Sequence, residues 1–120
     1  MICPHNTTLG KQGEDLACAE LSRRGYAILA RRYRTRAGEI DIVAREGRTV
    51  VFVEVKTRTS VRFGLPAEAI TWRKRRRLQI MALAYLSRRR LYDVPFRFDI
   101  VSVMVGEGQV RIEVIRSALE

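Results

Sequence analysis

The sequence predicts an α/β domain in which two helices flank a mixed β-sheet, with the elements in the order αβββαββ. Two observations carry this prediction. Helical hydrophobic spacing occurs near the amino terminus and again in the middle of the chain, whereas the other apolar segments alternate or run continuously, as strands do. The central helix separates the third and fourth strands, and such a crossover favours parallel pairing of the strands that it joins.

The two helices are predicted from apolar residues spaced three and four positions apart. The first runs from Thr8, its N-cap, to about Arg24, with Gly25 just past its end. The second is longer and runs from about Ala67 to Arg89. Its apolar stripe consists of Ile70, Leu78, Met81, Ala82 and Tyr85. Lys74 lies on the line of this stripe, so we expect it to reach the rim of any site on the facing side of the sheet.

Five segments have the composition and patterning of strands. They are Tyr26–Tyr33, Glu39–Arg45, Thr49–Thr57, Phe96–Val105 and Gln109–Ile115. The second and third are separated by Gly47-Arg48, which predicts a hairpin with a two-residue turn. Because no repeat or internal linker interrupts the pattern, residues 1–120 are predicted to form one domain.

The chain is strongly basic. It has 23 Lys and Arg against 13 Asp and Glu, for a net charge of +10 and a pI near 10.8. An excess of positive charge indicates which partners a protein can bind rather than which fold it adopts. Nucleic acid is the commonest polyanion available to a small basic protein. The alternative is that the arginines serve solubility or reflect genome composition.

Membrane and zinc functions find little support in the sequence. No apolar run approaches the ~20 residues of a membrane span, and the amino terminus lacks the basic start and apolar stretch of a signal peptide. We therefore expect a cytoplasmic protein without a membrane partner. Cys3, Cys18 and His5 do not supply the four ligands of a structural zinc site.

The predicted hairpin brings two carboxylates together. A two-residue turn at Gly47-Arg48 sets Asp41 opposite Glu54, with Lys56 on the same side of the sheet and Ile40 and Ile42 on the other. Like charges directly across a strand pair destabilise the sheet. Mg²⁺ or Mn²⁺ would satisfy two carboxylates facing a phosphate substrate. The alternative is a salt-bridge ladder on a solvated face, which the apolar composition of both faces disfavours.

The ordered motifs of the chain resemble those of the YraN-type bacterial family. The motifs are Gly13-Glu14, Gly38-Glu39-Ile40-Asp41, Val53-Glu54-Val55-Lys56-Thr57-Arg58, Phe63-Gly64 and Arg97-Phe98-Asp99. That family is similar to archaeal Holliday-junction resolvases within the PD-(D/E)xK nuclease superfamily. One position departs from the pattern, since Arg32 precedes Tyr33 where many relatives have Asn.

The resemblance implies a fold, a site and an assembly. The fold is a restriction-endonuclease-like αβββαβ core over about residues 8–105, followed by an extra C-terminal strand. Asp41, Glu54 and the backbone carbonyl of Val55 would hold Mg²⁺ or Mn²⁺, Lys56 would position or activate the attacking water, and Glu14 would complete the acidic set. The resolvase-like relatives also imply a homodimer, which suits a symmetric substrate.

Further basic residues are candidates for contact with phosphates. Thr57 and Arg58 follow Lys56 directly, and Arg34 and Arg36 lead to Gly38. Lys74 belongs to a basic run that opens the second helix, Trp72-Arg-Lys-Arg-Arg-Arg77. For a single arginine of this run the alternative is a solvated helix face. Arg97 and Asp99 share one face of the fourth strand and are expected to pair with each other.

Two functions follow from these residues and from the resemblance. The first is a metal-dependent endonuclease that hydrolyses phosphodiesters of DNA in branched, recombination or repair structures. The second is a non-catalytic, basic nucleic-acid-binding accessory or scaffold protein that retains the nuclease fold. The carboxylates favour the first, because without a metal they would repel a polyanion. A protein associated with RNA is a more distant alternative, and no aromatic platform for single strands supports it.

Overall fold

The computed structural model describes residues 9–59, 71–106 and 108–119, and it has the predicted architecture. The elements are α1 (Leu9–Arg23), β1 (Ala27–Thr35), β2 (Gly38–Glu46), β3 (Thr49–Arg58), α2 (Trp72–Arg88), β4 (Phe96–Gly106) and β5 (Gln109–Ile115). The strands form one five-stranded sheet in the order β1-β2-β3-β4-β5. β3 and β4 pair in parallel, while the other neighbours are antiparallel. The αβββαβ core with an extra C-terminal strand is therefore confirmed.

The sheet carries a separate hydrophobic core on each face. On one face Ala17 and Leu21 of α1 pack with residues of the sheet, among them Ile42, Ala44, Val51, Val53, Val101 and Val103. On the other face α2 packs against a second set, which includes Ile40, Val43, Val50 and Phe52. The helices thus cover opposite faces, and each burial removes an apolar stripe from water. Neither helix in these described ranges is long and apolar enough to cross a membrane.

The second helix begins later than predicted. Thr71 has an extended backbone (φ −74°, ψ 162°), and its hydroxyl accepts a hydrogen bond from the Lys74 amide at 3.1 Å, which makes it the N-cap. The predicted start at Ala67 is therefore wrong, because a capping threonine interrupts the helical pattern. Ala67 itself lies outside the described residues, as do Thr8, Ile70 and the Phe63-Gly64 motif.

The prediction that Ile40 and Ile42 lie on the same face of the hairpin is also wrong. Ile40 packs in the α2 core and Ile42 in the α1 core, although residues two positions apart share a face in a regular strand. The change of face occurs at Asp41. On the neighbouring strand, Arg31 pairs with Ile42 and Tyr33 with Ile40, and the residue between them, Arg32, has a left-handed backbone with φ +51°. The alternation of apolar and polar residues carries no sign of this local irregularity.

Candidate functional site

Asp41 and Glu54 lie where β2 and β3 separate. The predicted register holds along the hairpin from the Glu46–Thr49 pair to the Ile42–Val53 pair, so these two acids come next in line beyond the regular ladder. There, the Asp41 Oδ2 accepts a hydrogen bond of 2.8 Å from the backbone amide of Val55. A side-chain carboxylate thus takes over from the backbone ladder, which fixes the Asp41 carboxylate against β3.

Glu54 is buried, with 7% of its surface exposed, and it is held by two ammonium groups. Lys74 Nζ, from the first turn of α2, lies 2.5 Å from Glu54 Oε2. Lys56 Nζ, from the same strand as Glu54, lies 3.3 Å from the same oxygen. The predicted position of Lys74 at the rim is therefore observed as a direct contact. Two carboxylates and two lysines converge at one point between the sheet and α2.

The electrostatic environment perturbs the ionisation of three of these side chains. Burial, together with the neighbouring charge of Glu54, raises the pKa of Asp41 from 3.8 to about 6. Burial and the adjacent Lys74 lower the pKa of Lys56. Burial opposes the charge of Lys74 as well, but its hydrogen bond to Glu54 prevails and its pKa is raised. Perturbed ionisation of this kind is concentrated at functional sites.

Glu14 approaches this cluster from the other face of the sheet. Its side chain is mostly buried and accepts a hydrogen bond of 3.0 Å from Arg32 Nε, with Arg31 Nη2 at 3.6 Å. The negative charge of Glu14 is one of the causes that raise the pKa of Asp41. The structure thus brings Glu14 near the carboxylate pair, and it also gives the Glu14 carboxylate two arginine partners that the sequence did not predict.

Close packing at Gly13 accounts for the position of Glu14. A Cβ atom at Gly13 would overlap the side chain of Thr57 on β3, so only glycine lets α1 approach the strand at this point. Thr57 lies next to Lys56 in the strand and therefore projects to the α1 face, away from the lysines. This placement assigns Thr57 a packing role. The prediction that it contacts phosphate stays a prediction.

The donor set suits a divalent cation with a preference for oxygen. Asp41, Glu54 and the Val55 carbonyl are hard oxygen donors on adjoining strands, and burial together with the charge of Glu54 raises the pKa of Asp41, a cost of ionisation that a bound cation would offset. Among residues 9–59, 71–106 and 108–119, no three His, Cys, Asp or Glu side chains are arranged to hold a metal ion. The residues fit a metal held by two carboxylates, with its other ligands from backbone and solvent.

The remaining basic residues predicted to contact phosphate lie at the ends of β1 and β3 and on α2. Arg34 Nε donates to Glu39 Oε2 at 3.0 Å, and Arg36 follows it between β1 and β2. Arg58 lies at the end of β3, paired with Met104 of β4. On α2, Arg73 and Arg76 are exposed, as expected for a solvated face. Of these residues, Lys74 contacts Glu54 of the carboxylate pair.

A second polar cluster lies at the opposite end of the sheet. The expected pair of Arg97 with Asp99 is present, with Arg97 Nε 2.9 Å from Asp99 Oδ1. Asp99 is 1% exposed and also accepts hydrogen bonds from the Tyr26 hydroxyl and the Ser117 amide. Arg97 further pairs with Glu46 at 2.7 Å. No sequence pattern indicated Tyr26 or Glu46, because these contacts span up to 73 positions of the chain.

Comparison with known proteins assigns a family. Residues 13–103 match the model of "Uncharacterised protein family UPF0102". A UPF0102 protein of Geobacter metallireducens is 48% identical over 116 residues, covering 97% of this chain and 95% of that protein. A UPF0102 protein of Rhodococcus opacus is 45% identical over 115 residues, covering 95% and 98%. The chain therefore belongs to the UPF0102 family, and the family resemblance of its motifs is confirmed.

Proposed function

We propose that this UPF0102 protein is a metal-dependent endonuclease that hydrolyses phosphodiesters of DNA, with branched or repair structures as its substrates. The observation that carries the proposal is the convergence of Asp41, Glu54, Lys56 and Lys74 where β2 and β3 separate. Support also comes from the net charge of +10. Two carboxylates that face a polyanion can take part in hydrolysis when a cation binds between the carboxylates and the phosphate.

Each group has a distinct part in the proposed reaction. Asp41, Glu54 and the Val55 carbonyl would hold Mg²⁺ or Mn²⁺, which supplies Lewis acidity and a more acidic water. Lys56, whose pKa is lowered, is suited to hold or move the proton of the attacking water. Lys74 keeps its proton, orients Glu54 through their hydrogen bond and places a positive charge near the substrate phosphate. Glu14, whose charge contributes to the raised pKa of Asp41, would complete the acidic set.

The test is cleavage of labelled linear, forked and four-way DNA in Mg²⁺ or Mn²⁺. We expect wild type to cut at least one structure, and Glu54→Gln and Lys56→Met to lose roughly 100-fold or more in rate, as removal of a charge-stabilising group does. Glu113→Gln, an exposed glutamate on β5, is the matched control and should retain full activity. Equal rates for wild type and Glu54→Gln would contradict the proposal, since the cleavage would then come from elsewhere.

The second candidate is a non-catalytic accessory protein that binds nucleic acid. The solvent-facing side of α2 supports this function, because it presents the exposed cations Arg73 and Arg76 to a polyanion. Arg76 also lies 5.7 Å from the centre of the Trp72 ring. This function predicts salt-sensitive binding without turnover in any metal. Calorimetry with Mn²⁺ distinguishes the two, since a nuclease site binds the ion and Asp41→Ala abolishes that binding. The homodimer and the cytoplasmic location stay predictions.

A further inference from the structure

A groove of about 270 Å³ opens between the end of β1 and the outer side of α2. Its apolar lining includes Tyr33, Ile80, Met81 and Ala84. This volume is slightly below the ~300–1,000 Å³ typical of small-molecule sites. The groove therefore has room for one flat ring system rather than for a larger ligand.

The rim of the groove is positive. Arg34, Arg36 and Arg88 line it, and the described lining contains no carboxylate. Arg34 is hydrogen-bonded to Glu39, so Arg36 and Arg88 supply most of the uncompensated charge. An apolar floor below guanidinium groups matches a nucleobase with its phosphate, because bases stack on apolar and aromatic surfaces while arginine binds phosphate oxygens.

Helix α2 connects this groove to the carboxylate pair. Lys74 contacts Glu54, while Met81 and Ala84, seven and ten positions further along α2, line the groove. At ~1.5 Å per helical residue this separation is about 10–15 Å. It corresponds to roughly three to four stacked nucleotides at ~3.4 Å each. Arg77 lies between Lys74 and Met81 on α2. Its side chain packs near the start of β2, where its Cδ would be 3.3 Å from a Cβ atom at Gly38.

We propose that the groove binds an unpaired nucleobase of the DNA strand, three to four nucleotides from the scissile phosphate. The substrates of the proposed nuclease are then structures with a single-stranded segment, such as flaps and forks, because a stacked and paired base cannot enter the groove. This inference rests on the proposed function and specifies its substrate class.

The experiment compares binding of forked and fully paired DNA of equal length, measured by fluorescence anisotropy in Ca²⁺. The variant Ala84→Phe places a ring in the groove at an exposed helix position, so the core is left intact. Leu83→Phe, one position earlier and also exposed, lines a different depression and is the matched control. We expect Ala84→Phe to weaken binding of forked DNA about tenfold, with paired DNA and the control unchanged, since the introduced ring displaces one stacked base.

A second variant keeps the test decisive if Ala84→Phe unfolds. Arg36→Gln with Arg88→Gln should reduce the preference for forked over paired DNA several-fold, with an unchanged melting temperature. An unchanged preference in folded variants, or equal losses on both DNAs, would overturn the inference. Its failure is separable from that of the proposed function, because Mn²⁺ binding and cleavage are measured on Asp41 and Glu54 variants with an intact groove.

Discussion

The ammonium group of Lys74 on α2 lies 2.5 Å from the Glu54 carboxylate on β3, and this contact links the helix to the acidic end of the hairpin. Without a positive partner, the buried Glu54 would repel Asp41 across the opening strands. The two lysines thus neutralise charge that the proposed metal would also neutralise. The same side chains are expected to influence both folding stability and metal affinity.

Replacing Lys74 tests this dual effect. In metal-free protein, Lys74→Met removes one of the two ammonium groups that hold Glu54. We expect the free energy of unfolding to fall by about 1–2 kcal/mol, since the pair is partly screened by solvent. Mn²⁺ should bind the variant more tightly, because a competing cation is gone. Denaturant unfolding in EDTA and calorimetric titration measure the two quantities. Weaker Mn²⁺ binding with unchanged folding would show that Lys74 does not compete with the metal.

The raised pKa of Asp41 predicts a pH dependence of stability. Its folded pKa of about 6 exceeds the ordinary 3.8, so the folded state binds the proton more tightly. The stabilisation of the folded state by the proton on Asp41 is therefore full below about pH 4, and it is lost as pH rises through the folded pKa of about 6. We therefore compare the free energy of unfolding of Asp41→Asn with that of wild type, both in EDTA. Between about pH 4 and pH 7.5 this difference should shift by about 2–3 kcal/mol in favour of the variant, since one pKa unit equals ~1.4 kcal/mol.

Unfolding curves in urea at both pH values provide this comparison. The amide oxygen of Asn can still accept the Val55 hydrogen bond, so the variant isolates the charge. A difference between variant and wild type that is independent of pH would contradict the assignment.

The close approach of α1 to β3 predicts a large effect at a glycine. Gly13→Ala would force its new methyl group into the Thr57 side chain, and overpacking of this kind costs roughly 1–3 kcal/mol. Gly106→Ala is the control, because no heavy atom lies within 4 Å of the added Cβ. Thermal unfolding by circular dichroism distinguishes them. Equal melting temperatures for the two variants would show that α1 shifts freely.

Arg32 holds a left-handed backbone and the Glu14 carboxylate at once. Asn tolerates φ near +51° better than Arg does, whereas Arg32→Asn also removes the exposed ion pair with Glu14. These effects oppose each other, so the melting temperature should change little. Mn²⁺ affinity should rise a few-fold, because Glu14 becomes available to the site. Calorimetry checks this, and reduced affinity would place Glu14 outside the metal site.

The hairpin was predictable because its determinants are local. Gly47-Arg48 fixes a two-residue turn, and the register from Glu46–Thr49 to Ile42–Val53 follows from it. The juxtaposition of Asp41 and Glu54 therefore follows from the turn and from counting along the two strands. Parallel pairing of β3 with β4 followed from the crossover helix in the same way.

The contacts that complete the site are not local, and the sequence could not specify them. The salt bridge from Lys74 depends on where α2 packs across the sheet, and the partners of Glu14 depend on the irregular backbone of Arg32. The late start of α2 depends on whether Thr71 caps it. The groove forms only where the end of β1 meets α2, so periodicity carried no sign of it.

The pairing of β3 with β4 also bears on how the chain folds. It joins Val50 to Phe96, 46 positions further along, whereas the β2–β3 hairpin closes over two residues. Loop closure over the longer distance carries the larger entropic cost and slows formation of such contacts. We expect the hairpin with its two acids to form early and α2, with Lys74, to dock late. During this interval the opposed acids have Lys56 beside them but not Lys74, so solution cations should accelerate folding.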